Sequence, residues 1–250
     1  MIEILWPAFV LSLMLVFIHA IFGLEIIRRG VIFTDLAIGQ IAAVGVAVSL
    51  LLFDGRYMFL STFAFALSGA FLIAYASGRV KHIEAFIGML YALGTSSIMV
   101  ILSNTSDGME LFNKLLATDI LFVTSDDLLV PAFLYSFVAV VFFFVLNRFH
   151  GFAKELLFFS LLALVVTSSV QLAGVLVVFV LLIVPSFIAL LQERYQPLGF
   201  AWIVGTLIMM ISLGVSYQFD LPTGYGIVFI ASLTGVIGAL FSKKSVTKRT

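Results

Sequence analysis

Cysteine is missing from all 250 residues, which excludes disulfides and thiolate metal sites. Histidine is nearly missing too. Its three copies, at positions 19, 82 and 150, are too scattered to build a histidine cage within one chain. No GxxxxGK[ST] occurs. The nearest stretch, GALFSKKS at 238–245, lacks the glycine that must precede the lysine, so the chain does not hydrolyse nucleotide by itself. HExxH, GxSxG and CxxC are absent as well, which removes the intramembrane-protease and redox readings. Charge is scarce: Asp, Glu, Lys and Arg make up 10% of the chain, against about 25% in a soluble domain. No polar stretch is long enough to form a soluble core, so residues 1–250 are expected to form one transmembrane domain.

What fills the chain is apolar. Hydrophobic residues account for 63%, with 27 phenylalanines among them. Runs long enough to cross a bilayer, at about 20 residues each, lie near 5–24, 31–53, 57–78, 83–103, 128–147, 198–217 and 223–241. The first run follows no basic n-region and is expected to remain a span rather than be cleaved. Leu156 to Leu191 carries no charge and is 36 residues long. As one helix it would extend about 54 Å, nearly twice the hydrocarbon core. It must fold back, and Gln171–Gly174 is the natural turn. The expectation is an all-α polytopic membrane protein of eight or nine transmembrane helices, eight if one half of this pair is re-entrant. With nine spans and the N-terminus outside, eleven of the 13 Lys and Arg fall inside and only Arg56 and Lys114 outside. That bias favours an N-out, C-in arrangement. The acidic loop 103–127 is then external, either attracting a cation or partner or simply solvated.

The chain is organised around RRGVIFTDLAIGQIAAVGVA, Arg28 to Ala47, where Asp35 and Gln40 interrupt an apolar helix. An ionisable group inside a span costs about 2.5–3.5 kcal/mol on the insertion scale. Asp35 is either a polar station on an ion path or a carboxylate near the membrane edge that snorkels, or pairs with Arg28 or Arg29. The small residues Ala37, Gly39, Ala42, Ala43, Gly45 and Ala47 favour an interior position for this helix. His19 is expected to bond to a neighbouring helix, and Glu25 and Glu84 to form ion pairs with nearby basic residues. Pro185, within LLIVPSFIALL, frees a carbonyl and suits either a gate or plain packing.

Five separated stretches form a pattern: Arg29 with Asp35 six residues on, leading to Gly45; IEAFIGMLYALG at 83–94; LLATDILFVTSDDL at 115–128; AGVLVVFVLLIVPSFIALL at 173–191; and FDLPTGYGIVF at 219–229. In this order they resemble the permease subunits of the ATP-binding-cassette importers for zinc, manganese and iron. The resemblance implies a permease in the plasma membrane that lines and gates the path of a divalent metal ion and binds no cofactor of its own. It also implies pairing of two copies, separate ATPase chains below, and an extracytoplasmic metal-binding protein above. The alternative from a different class is an ion-coupled secondary transporter, which would show midplane carboxylates and inverted repeats.

Two departures stand out. The commoner members carry His four residues after the Asp, and both are thought to face the metal path. Here the fourth residue is Gly39, and Gln40, the fifth, takes the histidine's place. Five residues along an α-helix rotate by about 140°, and a π-bulge would restore a shared face. An amide oxygen in place of an imidazole leans the site toward harder ions such as manganese. The second departure is the cytoplasmic segment NRFHGFAKELL at 147–157, shorter than usual by about three helical turns. In it Phe149, Gly151 and Phe152 are the residues expected to contact the ATPase, since aromatics and Arg dominate interface energetics.

Overall fold

In a computed structural model, which describes residues 2–103, 110, 120–192 and 194–241, the chain is a bundle of helices. Among the described residues there are nine: α1 (Ile2–Arg29), α2 (Thr34–Phe53), α3 (Met58–Ser77), α4 (Ile83–Leu102), α5 (Leu129–Phe144), α6 (Gly151–Ala173), α7 (Val175–Leu190), α8 (Pro197–Gln218) and α9 (Thr223–Phe241). Eight are long and apolar enough to cross a membrane. The ninth, α7, has 16 residues and is about 24 Å long, short of the hydrocarbon thickness. Asp107, Lys114 and Asp119 of the acidic loop, and the basic tail beyond Phe241, lie outside the described residues.

Helix α1 runs one turn past the apolar stretch that announces it. Glu25 sits 3.3 Å from Arg28 and 3.6 Å from Arg29, at the i,i+3 and i,i+4 spacings that support an extra turn. The expected ion pairing of Glu25 is therefore present. The break in the uncharged 156–191 run falls on Gly174, with φ 83° and ψ 156°. That region is open essentially to glycine alone, so the chain can change direction there within one residue. Beyond it α7 packs chiefly on α1, α8 and α9 rather than on α6.

The bundle has two lobes. One joins α1, α7, α8 and α9; the other joins α2, α3, α4 and α6. The fully buried Phe22 of α1 and Phe158 of α6 meet across the seam, with ring centroids 5.7 Å apart. Helix α2 is enclosed by α3, α4 and α6, the crowded place that its small residues favour. Helix α5 is peripheral and exposes Phe133, Phe137 and Phe144. Arg29, Arg79 and Lys154 line one cavity, so the ends of α1 and α3 and the start of α6 share one face, here the basic face.

Candidate ion path and basic face

The path region starts where α1 ends. Gly30, at φ 67°, turns the chain; its N–H donates to Ile27 O at 3.2 Å, and Val31 N donates to Ile26 O at 3.2 Å. Three residues later α2 begins, with Asp35 in its first turn. Asp35 is 2% exposed, and its Oδ1 has no hydrogen-bond partner. The snorkelling and ion-pair readings of this residue fail together. Arg28 is bound to Glu25, while Arg29 bridges Glu25 and Glu155, the latter at 2.5 Å, and lies over the ring of Phe158 at 4.1 Å. Both arginines are engaged elsewhere, and the carboxylate is shut inside the protein.

Helix α2 is regular from Thr34 to Phe53, without a π turn. Asp35 and Gln40 therefore stay about 140° apart. The shared face expected of them does not form, because the helix absorbs the extra residue by rotation. Gln40 is half-buried against α4: a Cβ added at Gly94 would lie 2.9 Å from the Gln40 Cβ. Gly39, one turn beyond Asp35, instead looks toward Val166 of α6. Two further expectations are corrected. Glu84 pairs with no basic side chain among the described residues; its Oε1 accepts from the backbone N–H of Phe33 at 3.3 Å, and Oε2 is buried without a partner. His19 bonds within its own helix, Nδ1 donating to Leu15 O at 2.8 Å, and not to a neighbour.

The two packing residues sit at close helix crossings. A Cβ on Gly45 would come within 2.5 Å of Ser61 O and 2.9 Å of Thr62 Cα, and Ser61 Oγ donates to Gly45 O at 2.8 Å. Gly45 thus lets α2 and α3 meet backbone to backbone. Pro185 is buried in α7, and its Cγ would lie 3.2 Å from a Cβ on Gly205 of α8. Gly23, which no sequence motif singled out, is tighter still: a side chain there would collide with Leu182 O and Ser186 Oγ of α7.

On the basic face a 3-10 turn (Leu146–Arg148) leads through extended Phe149 and His150 into α6 at Gly151, whose φ is 57°. Phe152 is 46% exposed, yet its ring is in contact with a neighbouring helix. Its ring meets Phe71 at 6.0 Å and Tyr75 at 6.5 Å, both edge-on, clamping α6 to α3. Phe149 is 43% exposed. Beside them opens a cavity of about 860 Å³, lined by Arg29, Tyr75, Arg79, Phe152, Lys154 and Glu155 among others.

The chain is similar to known proteins. The manganese transport system membrane protein MntC of Listeria monocytogenes and that of Listeria innocua are each 26% identical over 259 residues, covering 96% of this chain and 91% of the relative. Among solved structures, PsaBC from Streptococcus pneumoniae in complex with Fab has the same fold, with a TM-score of 0.73 over 97% of this chain and 93% of that one, at 21% identity. The ABC 3 transport family matches residues 1–154 and 150–242, nearly the whole chain, and the protein belongs to that family.

Proposed function

We propose that this chain is the permease subunit of an ATP-driven importer for a divalent transition-metal ion, with manganese as the favoured cargo. The observation that carries the reading is Asp35. A carboxylate enclosed within the bundle, with one oxygen unpartnered, is costly unless a cation visits it. Carboxylate oxygens suit manganese better than they suit zinc, and the two MntC relatives are manganese transport proteins by name. In the present conformation Asp35 is closed off, so an ion reaches it only when α2 moves against its neighbours. The chain has no P-loop, so the work comes from separate ATPase chains. Membership of an ABC transport family favours this reading over an ion-coupled secondary transporter.

The rest of the assembly follows from the same reading. Two copies pair around the path, a metal-binding protein docks outside, and the complex lies in the plasma membrane with its N-terminus outside and the basic face inside. The ATPase contacts the basic face at 147–154. The two phenylalanines there are about equally exposed, and Phe149 is the better candidate for that contact because the ring of Phe152 already packs on Phe71 and Tyr75 of α3. Truncating Phe149 to Ala is expected to weaken ATPase association by about 1–2 kcal/mol, the scale of an interface anchor. Co-purification of the ATPase and manganese-stimulated ATP hydrolysis should both fall, with membrane insertion unchanged. Wild-type values for both would move the contact to another loop, with 192–197 the next candidate.

A further inference from the structure

Helix α2 starts without a cap of its own. Its N-cap residue is Phe33, which has no acceptor, and the hydroxyl of Thr34 is spent on Val31 O at 2.7 Å. In a capping box, a Glu or Gln at the third helical position reaches back to the N-cap N–H. That position here is Leu36, which cannot do so. The acceptor comes from 51 residues away, where Glu84 in the first turn of α4 takes the Phe33 N–H at 3.3 Å.

We propose that Glu84 is the positioning residue for Asp35: it caps α2 from the neighbouring helix and holds the first turn of α2, with Asp35 in it, in register with α4. The other glutamates on the basic face, Glu25 and Glu155, are spent on arginines. Glu84 has no such partner among the described residues and has only the α2 backbone to bind. Asp35 at the second helical position and Glu84 from outside both place negative charge where the helix dipole favours it. The segment between Gly30 and Thr34 is short and turns at a glycine. Its other ties are local, Thr34 to Val31 O, or reach α7, where Phe33 stacks on Phe179, so the Glu84 bond is the polar tie from this turn to α4. Any shift of α4 along α2 is then felt at Asp35.

This inference rests on Asp35 being on the ion path, and its test has one arm that does not. The variants are Glu84→Ala, which removes the acceptor, and Glu84→Gln, which keeps a carbonyl oxygen for the Phe33 N–H. In purified complex with the ATPase, amide hydrogen exchange over 31–36 should quicken about fivefold in Glu84→Ala, the usual scale for a lost cap. Glu84→Gln should exchange at close to the wild-type rate. In proteoliposomes, Glu84→Ala should raise the KM for manganese with a smaller change in maximal rate, and Glu84→Gln should restore it. Unchanged exchange in Glu84→Ala overturns the cap. Exchange that quickens while manganese KM stays at its wild-type value overturns the link to Asp35. Equal loss of transport in both variants also overturns the proposal, since charge rather than capping would then be required. A wild-type complex that moves no metal refutes the functional reading instead, and the exchange arm still decides the cap.

Discussion

Replacing Asp35 with Asn is expected to lower manganese uptake by about tenfold or more, equivalent to about 1.4 kcal/mol in the barrier, while leaving the protein as stable as before or more so. The two halves of this result have separate causes. Transport falls because Asn keeps the shape and loses the charge that attracts a dehydrated dication. Stability does not fall because Oδ1 has no partner to lose, Asn keeps an acceptor oxygen at the helix start, and a buried amide is cheaper to desolvate than a buried carboxylate, which outweighs the lost helix-dipole attraction. Uptake in proteoliposomes and a thermal melt in detergent measure the two. A variant that transports normally removes Asp35 from the path. One that melts early gives it a structural role instead.

The second large effect concerns the helix crossings. Gly23→Ala pushes a methyl group into Leu182 O and Ser186 Oγ, and Gly45→Ala pushes one into the backbone at Ser61 and Thr62. The nearest atom in each case is backbone, so helices must separate. Overpacking of this kind costs about 1–3 kcal/mol, and Gly23 belongs at the upper end. Gly88→Ala is the control, because a Cβ there meets nothing within 4 Å. It should be neutral or slightly stabilising, as Ala favours helix over Gly by about 1 kcal/mol. The melting temperatures and monodisperse yields of the three variants check this ordering. Equal behaviour of all three would mean the α1–α7 and α2–α3 contacts yield easily.

Much of the fold was legible because a membrane span declares itself by length and apolarity. The turn within 156–191 was legible for a sharper reason: its conformation at Gly174 is one that glycine alone tolerates well. Boundaries were less so. Helix α1 reaches Arg29 because Glu25 and its arginines stabilise a turn that hydropathy counts as loop.

The site was legible in its residues but not in its geometry. Asp35 stands out in any reading of the chain, yet its enclosure depends on both neighbouring arginines being engaged, one by Glu155 on a distant helix. The five-residue spacing to Gln40 could not say whether a bulge would realign the pair, and the regular helix left them apart. Glu84 binds a backbone N–H across 51 residues, a contact that no local pattern announces. Phe149 and Phe152 look equivalent in sequence; the rings of Phe71 and Tyr75 distinguish them. Gly23 shows nothing locally, because the carbonyl it accommodates belongs to a helix about 160 residues away in the chain.

The most direct measurement is uptake of radioactive manganese into proteoliposomes holding this permease with its ATPase and binding protein, with nucleotide confined to one side. Manganese should enter the compartment that holds ATP and meets the basic face of Arg79 and Lys154. Uptake should stop when ADP replaces ATP. Uptake that proceeds equally with ADP, or that follows a proton or sodium gradient, would contradict the account.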